Sequence, residues 1–325
     1  MTQIHKSGAL YHAGPKRRPI WEATYRFGFT LAFLVAIWHL TLQQQPYTTL
    51  SSSSNELWWQ TYVQKSLSKG PLKIPLMPFE LSVRNDEAII QVLQHFKVDP
   101  QKGLYPNTHY ENLTIIDIGL PTESVLFAKE GYSVEAFEAR TKGIQQIERV
   151  FAALPNDIQQ RIHLHHSALS NVSDTTMQMY DANDSSSLLE SAIQSVQEKS
   201  KFESSGQRME TVGVNELDRF IAPSMNIVAV KIDTQGVEPE IFMGSQKLFS
   251  QRSSLQSPPI VIVTEYCTTL RSYEELRVGP HLLSGLGYTC YIRKNSPPFT
   301  ELVLDSALVY CGDFVCIHHP SVGNF

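Results

Sequence analysis

The stretch from Ile227 to Glu240, IVAVKIDTQGVEPE, constrains the fold of this chain more than any other segment. It opens with an apolar, β-branched run of about six residues, which favours a buried strand over a helix. Asp233 ends the run, Gly236 permits a tight turn, and Pro239 suits the first turn of a helix. The segment predicts a strand, a turn and a helix, with a carboxylate at the edge where open α/β sheets bind ligands. An ordinary strand–helix joint with a solvated Asp233 explains the pattern equally well.

Strands and helices alternate in the same way from residue 113 onward. Apart from the segment above, strands are expected at 113–118, 132–137, 162–166, 260–264, 288–292 and 314–318. Helices are expected at 86–96, 124–130, 141–154 and 215–221, and the polar region 171–210 is expected to be a surface excursion with one helix near 188–196. This alternation predicts βαβ units in an α/β fold with a doubly wound, mostly parallel sheet.

The N-terminus predicts a membrane anchor. Residues 1–26 contain five basic side chains and a single acid, Glu22, and residues 27–42 carry no formal charge. A helix over those 16 residues would span about 24 Å, somewhat short of the ~30 Å hydrocarbon core. A buried helix and a cleaved signal peptide are the alternatives, but the long basic leader favours a single-pass signal anchor. The prediction is a cytoplasmic tail over 1–26, a transmembrane helix over 27–42, a stem over 43–84 and a lumenal domain over 85–325, in the Golgi or endoplasmic reticulum.

Charge, glycosylation triplets and cysteines narrow the class further. A net charge of −5 gives no reason to expect a nucleic-acid partner. The acceptor triplets at Asn112, Asn171 and Asn183 agree with a lumenal domain. All four cysteines lie in the last sixty residues, and they allow either one or two disulfides or free buried thiols. No cysteine or histidine spacing indicates a zinc site, so no metal is expected.

Six short blocks, taken in order, resemble the FkbM-type S-adenosylmethionine-dependent methyltransferases over roughly residues 85–320. They are DIG at 117–119, AFE at 136–138, HSALS at 166–170, VNELDRFI at 214–221, KIDTQGVEPE at 231–240 and VIVTE at 261–265. The resemblance implies a Rossmann-like sheet of the class I methyltransferase type, with S-adenosylmethionine at its carboxyl edge. It implies that Asp117 and Gly119 approach the amino-acid end of this cofactor and that Glu138 holds the ribose hydroxyls.

The resemblance also implies which residues carry the chemistry. Methyl transfer is a displacement at the sulfonium carbon, so the protein mainly aligns the acceptor and removes its proton. Asp233 is expected to be the base or the substrate-positioning residue, with Glu238 and Glu265 in support. The alternatives are complementation of the helix dipole for Glu238 and a structural role for Glu265.

Two departures from the family pattern leave the activity open. The turn after the first strand lacks the family's second glycine and carries Pro121 and Glu123, and Gln235 stands where the family usually has glutamate. The leading hypothesis is an S-adenosylmethionine-dependent O-methyltransferase acting on a hydroxyl of a sugar or related small molecule. A catalytically inactive binding module with the same fold is the alternative. A lumenal glycosyltransferase ranks below both, because the chain has no D-x-D triplet for a metal–nucleotide complex.

Overall fold

The computed structural model describes residues 55–82, 84–102, 104–105, 108–109, 112–119, 121–181, 208–249, 258–268, 270, 272–293, 301–304 and 311–319. Its helices, numbered in chain order, are α1 Asn55–Leu67, α2 Asn85–His95, α3 Ser124–Glu130, α4 Thr141–Ala152, α5 Asn156–Gln159, α6 Glu238–Met243, α7 Gln246–Phe249, α8 Tyr273–Leu276 and α9 Val278–Gly285. Its strands are β1 Leu72–Pro75, β2 Leu104–Tyr105, β3 Thr108–His109, β4 Leu113–Ile118, β5 Ser133–Glu138, β6 Ile162–His166, β7 Ala168–Leu169, β8 Thr175–Asp181, β9 Arg208–Asn215, β10 Asn226–Ile232, β11 Val261–Cys267, β12 Tyr288–Ile292, β13 Glu301–Leu304 and β14 Cys311–His318.

Seven strands form the central sheet, in the order β6-β5-β4-β10-β11-β14-β12. The neighbours from β6 to β11 pair in parallel, whereas β14 runs antiparallel to both β11 and β12. Counted along the chain, the order is 3-2-1-4-5-7-6 with the seventh strand reversed, which is the strand order of the class I methyltransferase fold. The expected mostly parallel α/β sheet is confirmed.

Both faces of the central strands of this sheet are buried, as a doubly wound fold requires. On β4, Ile116 and Ile118 join one core cluster, and Leu113 and Ile115 join the other. Helices α1, α6, α7 and α9 contribute buried side chains to the first cluster, and α2 and α3 contribute to the second. Because side chains alternate across a strand, continuous apolar runs such as β4 need cover on both sides.

The folded domain begins earlier than the expected boundary at residue 85. Val63 in α1 and Ile74 in β1 are buried in the first core cluster, and β1 pairs antiparallel with β13. The segment 55–82 therefore belongs to the domain, because its apolar side chains bury against the sheet helices and β13. Residues 43–54 and the proposed anchor at 27–42 lie outside the described residues, and no helix within the described part is long and apolar enough to cross a membrane.

The region 171–210 contains more regular structure than its polar composition predicts. Strands β8 and β9 pair antiparallel from Thr175↔Val214 to Asp181↔Arg208, and β7 adds to β9 in parallel. The helix expected at 215–221 is reduced to a 3₁₀ turn at Leu217–Arg219. The helix expected near 188–196 lies outside the described residues.

The four cysteines form two bridges, which settles a question that spacing left open. Cys267 pairs with Cys311 and Cys290 pairs with Cys316, and each pair lies directly opposite in strand register. The reversed strand β14 is thus linked covalently to both of its neighbours, β11 and β12.

Candidate active site

The acidic residues singled out in the sequence meet at one edge of the sheet. Asp117, Glu138 and Glu265 lie at the carboxyl ends of β4, β5 and β11, and Asp233 directly follows β10. Because these four strands are parallel, their carboxyl ends share an edge, which is where open α/β sheets bind ligands. The reversed strand β14 starts at the same edge and brings Asp313 opposite Glu265.

A fully buried lysine links the two central strands at this edge. Lys231 lies opposite Asp117 in the β10–β4 register and is 1% exposed. Its Nζ lies 3.3 Å from Oδ1 of Asp117, 3.1 Å from Oε2 of Glu123 and 3.9 Å from Oδ2 of Asp233. Asp117 also accepts a hydrogen bond from Oγ of Ser124 at 2.7 Å. Both oxygens of Asp117 are therefore held by the protein itself, and this buried carboxylate positions Lys231.

One ammonium group among three carboxylates keeps Lys231 charged. Burial by itself would lower the pKa of Lys231, but the charges of Asp117, Asp233 and Glu123 outweigh burial and raise it. Burial raises the pKa of Glu123, and the ammonium of Lys231 opposes that rise. The turn that follows β4 thus carries a carboxylate, Glu123, which pairs with Lys231 of the same chain.

Gly119 lies where two backbone segments come very close together. It has a φ of +87°, and its N–H donates to the carbonyl of Phe137 at 3.1 Å. A Cβ at this position would come 1.8 Å from the carbonyl oxygen of Asp233. The glycine is therefore required by the contact between the β4 turn and the β10 turn, and this contact fixes where Asp233 begins its loop.

The carboxylate expected to hold a ribose is already held by an arginine. Oε1 of Glu138 accepts hydrogen bonds from the backbone N and from Nε of Arg140, at 2.8 and 3.0 Å, and Oε2 accepts one from Nη2 at 3.0 Å. Glu138 is 5% exposed and packs against Gly143 at the start of α4. A carboxylate offers about four acceptor positions. One ribose hydroxyl therefore fits beside Arg140, and two fit only when Arg140 moves.

Glu238 stabilises the turn that follows β10. Its Oε1 accepts hydrogen bonds from the N–H and the hydroxyl of Thr234, both at 3.0 Å, and Oε2 accepts from the N–H of Gly236 at 2.9 Å. Burial raises the pKa of Glu238, and these hydrogen bonds oppose the rise. These contacts do not support the catalytic role expected for Glu238. Its carboxylate is buried, and both of its oxygens accept hydrogen bonds from the turn that it stabilises.

Glu265 lies in an acidic neighbourhood and is partly buried. Its Oε2 is buried and has no hydrogen-bond partner among the residues that the structure describes. Burial, followed by the charges of Glu238, Asp233 and Asp313, raises the pKa of Glu265 to about 9. At neutral pH the carboxyl is therefore protonated, so Glu265 can donate a hydrogen bond but does not act as a base.

We expect Glu265→Gln to increase the free energy of unfolding at pH 7 by about 1–2 kcal/mol. A folded-state pKa of about 9 lies well above the ~4.3 of an unfolded Glu, so wild type takes up a proton on folding between these values. Its stability falls as pH rises through that window, whereas Gln carries no such penalty. Partial exposure of the side chain keeps the gain below the full linkage value.

Urea unfolding at pH 5 and pH 8 measures this effect, and the advantage of Glu265→Gln should be larger at pH 8. Glu301→Gln is the matched control, because Glu301 is exposed and pairs with the exposed Lys73. A Glu265→Gln variant that is less stable than wild type at both pH values would contradict a protonated Glu265.

Asp233 is one of the partly accessible acids at this edge, together with Glu123 and Asp313. Its side chain is 25% exposed, and Oδ1 accepts a hydrogen bond from Nε2 of Gln235 at 3.2 Å. Sequence reasoning placed Asp233 at the sheet edge but missed two side chains of the site. Lys231 lies beside Asp117 and Asp233, and Arg140 pairs with Glu138. The signals were present: Lys231 lies two residues before Asp233 on a strand, and Arg140 lies two residues after Glu138.

Comparisons with known proteins give similar structures but no sequence relative. No protein-family model matches the chain, and no curated protein does. The resemblance to the FkbM family therefore stays a resemblance.

The solved structures similar to this chain include three methyltransferases. The first is the glycopeptide N-methyltransferase MtfA complexed with sinefungin, at 10% identity and a TM-score of 0.27, covering 57% of this chain and 51% of that one, about half of its length. The methyltransferase domain of bacterial CtHen1-C shares 12% identity at a TM-score of 0.36, covering 72% of this chain and 97% of that one. A SAM-dependent methyltransferase from Agrobacterium tumefaciens shares 11% identity at a TM-score of 0.29, covering 76% and 69%.

Proposed function

We propose that this chain is an S-adenosylmethionine-dependent O-methyltransferase that acts on a hydroxyl of a sugar or related small molecule. The observation that carries the proposal is the 3-2-1-4-5-7-6 sheet with acids at the carboxyl ends of its first, second, fourth and fifth strands. This edge collects the groups needed to hold an adenosine-containing cofactor and to orient a hydroxyl beside it.

In this proposal the cofactor supplies an activated methyl group, and the protein supplies alignment and proton acceptance. Glu138 would hold a ribose hydroxyl at Oε2. Asp233 would accept the proton of the acceptor hydroxyl, because its carboxylate is accessible and is oriented by Gln235 and Lys231. Glu265, protonated at neutral pH, would donate a hydrogen bond to the acceptor. Glu238 would keep the Thr234–Gly236 turn in shape.

A binding module without catalysis is the second candidate, and the contacts of Glu138 and Glu123 favour it. Arg140 uses three of the four acceptor positions on Glu138, and Glu123 pairs with Lys231 in the turn where the family has glycine. In both contacts, a side chain of the protein pairs with a carboxylate at a position where a cofactor would otherwise bind. The two candidates differ in whether an adenosine ligand binds at all.

Titration calorimetry with S-adenosylmethionine separates the candidates. We expect wild type to bind with a dissociation constant below about 1 mM. Arg140→Ala should bind roughly tenfold more tightly, equivalent to about 1.4 kcal/mol, because it frees Glu138 for both ribose hydroxyls. Arg161→Ala is the matched control, since Arg161 is exposed and its side chain donates to the carbonyl of Gly131, away from Glu138.

Loss of S-adenosylmethionine binding in the variant Glu138→Gln would support the contact proposed between Glu138 and the ribose. Absence of heat with both wild type and Arg140→Ala, in protein shown to be folded, would contradict the methyltransferase proposal and leave the binding module. Acceptor discovery then follows by transfer of a labelled methyl group to a panel of free sugars.

We also propose that residues 27–42 anchor the chain with residues 1–26 in the cytoplasm and the folded domain in the lumen of the Golgi or endoplasmic reticulum. Two disulfides favour an oxidising compartment. Asn112 and Asn171 are both exposed, as a glycosylated asparagine must be. A shift in gel mobility on glycosidase treatment of the cell-made protein tests this proposal, and unglycosylated protein that is digested by protease in sealed microsomes would contradict it.

A further inference from the structure

The two disulfides differ strongly in their exposure. Cys290 and Cys316 are 4% and 0% exposed and both belong to the first core cluster. Cys311 is exposed, although its partner Cys267 is buried. Thiol–disulfide exchange needs access of the attacking thiolate to a sulfur atom. A reductant therefore reaches the Cys267–Cys311 bridge first, while the core bridge stays protected.

Strand geometry places a carboxylate beside the exposed bridge. Glu265 and Cys267 are two residues apart on β11, so their side chains leave the same face of the strand. On the partner strand, Cys311 pairs in register with Cys267. Sγ of Cys311 lies 3.9 Å from Oε1 of Glu265, and one ligand atom from each of the three residues falls within a 4.8 Å group.

These three side chains have the composition of a zinc site once the bridge is open. Zn²⁺ takes thiolate at about 2.3 Å and carboxylate at about 2.0–2.2 Å, so tetrahedral ligand atoms stand roughly 3.5–3.8 Å apart. The separation between Cys311 Sγ and Glu265 Oε1 is already close to that value. Oε2 of Glu265 is buried and lacks a hydrogen-bond partner among the described residues, as expected of a group left for a further ligand. Three protein ligands leave a fourth position for water.

We propose that Cys267, Cys311 and Glu265 form a redox-gated zinc site, closed as a disulfide and available for metal after reduction. In the opening step a dithiol reductant breaks the Cys267–Cys311 bond, gives two thiols and becomes a disulfide itself. Zn²⁺ then binds both sulfurs as thiolates and one oxygen of Glu265 as a carboxylate, and the two thiol protons and the carboxyl proton pass to solvent. This site goes beyond the proposed methyl transfer and does not depend on it.

The first measurement tests which bridge opens. Mild reduction of the full chain, alkylation and peptide mass spectrometry should find modified Cys267 and Cys311 before modified Cys290 and Cys316. Equal modification of all four cysteines at the earliest time would overturn the gating step.

The second measurement tests the metal. Protein reduced by a phosphine, freed of reductant and kept without oxygen should bind one equivalent of Co²⁺ with thiolate-to-metal charge-transfer absorption, and Zn²⁺ should displace it. Oxidised protein should show no such absorption. The proposal is overturned if the reduced chain shows none, or if Cys267→Ser/Cys311→Ser keeps it.

Glu265→Gln provides a test that leaves both cysteines in place. We expect at least a tenfold weaker affinity for Zn²⁺ in competition with a chromophoric chelator, with the charge-transfer absorption of Co²⁺ retained. Glu301→Gln, an exposed acid on β13, is the matched control and should bind as wild type does. Unchanged affinity in Glu265→Gln would remove the carboxylate from the site and overturn the three-ligand proposal, even if the double serine variant fails to fold.

Discussion

Lys231→Met is expected to lower the free energy of unfolding by about 3–5 kcal/mol. The ammonium of Lys231 is buried and pairs with Asp117, whose carboxylate is fully buried as well. Methionine fills a similar volume but leaves Asp117 without its cation, and removing one partner of a buried pair strands the other charge. Lys73→Met is the matched control, since Lys73 is 68% exposed and pairs with an exposed Glu301. Exposed pairs contribute at most about 1 kcal/mol.

Urea unfolding at pH 7 measures both variants, and a loss of less than about 1 kcal/mol in Lys231→Met would contradict a buried ion pair. The companion variant Lys231→Met/Asp117→Asn should recover part of the loss, because it removes the stranded charge. The dependence of stability on pH provides a second test.

The pKa of Lys231 is raised in the folded state. The contribution of its ammonium to the free energy of unfolding is therefore fully present below the ordinary lysine pKa of about 10.4 and is lost as pH rises through the folded-state pKa. Wild type should therefore lose this contribution at strongly alkaline pH, whereas Lys231→Met should not.

The central strands of the sheet were readable from sequence because burial on both faces leaves a local signature. The run 113–118 is short, apolar and bounded by turn signals, and the structure has a fully buried strand over that range. Most of the region 55–82 lacked such a signature, since its prolines and short apolar segments resemble a linker. Its order comes from contacts with distant partners, namely β13 and helix α9, which no local pattern contains.

The site was predictable in position but only partly in its contacts. Strand ends place Asp117, Glu138, Asp233 and Glu265 along one edge, because parallel strands share their carboxyl side. What each carboxylate contacts depends on register and rotamer. Lys231 meets Asp117 only because β10 pairs with β4 in the observed register. Arg140 turns back onto Glu138 after β5, and that return was not visible in a motif that ended at residue 138.

Gly119→Ala is expected to destabilise the domain by more than about 3 kcal/mol, or to prevent folding altogether. Alanine at a φ of +87° is strained, and its Cβ would lie 1.8 Å from the carbonyl oxygen of Asp233. That oxygen is backbone and cannot swing aside as a side chain would. The turns after β4 and β10 would have to separate, which breaks the hydrogen bond from the Asp233 N–H to the Ile118 carbonyl.

Gly70→Ala separates the two causes of this loss. Gly70 has a φ of +90°, but nothing lies within 4 Å of a Cβ built there. Gly70→Ala should therefore lower the free energy of unfolding only by the strain of a left-handed backbone, about 1–2 kcal/mol. Thermal or urea unfolding of both variants gives the difference that belongs to the Asp233 contact. If Gly119→Ala cost no more than Gly70→Ala, the close approach would be relieved by a small shift, and the tight link between the β4 turn and Asp233 would not hold. If the cost is larger, as expected, the position of Asp233 at the sheet edge depends on the absence of a side chain at Gly119.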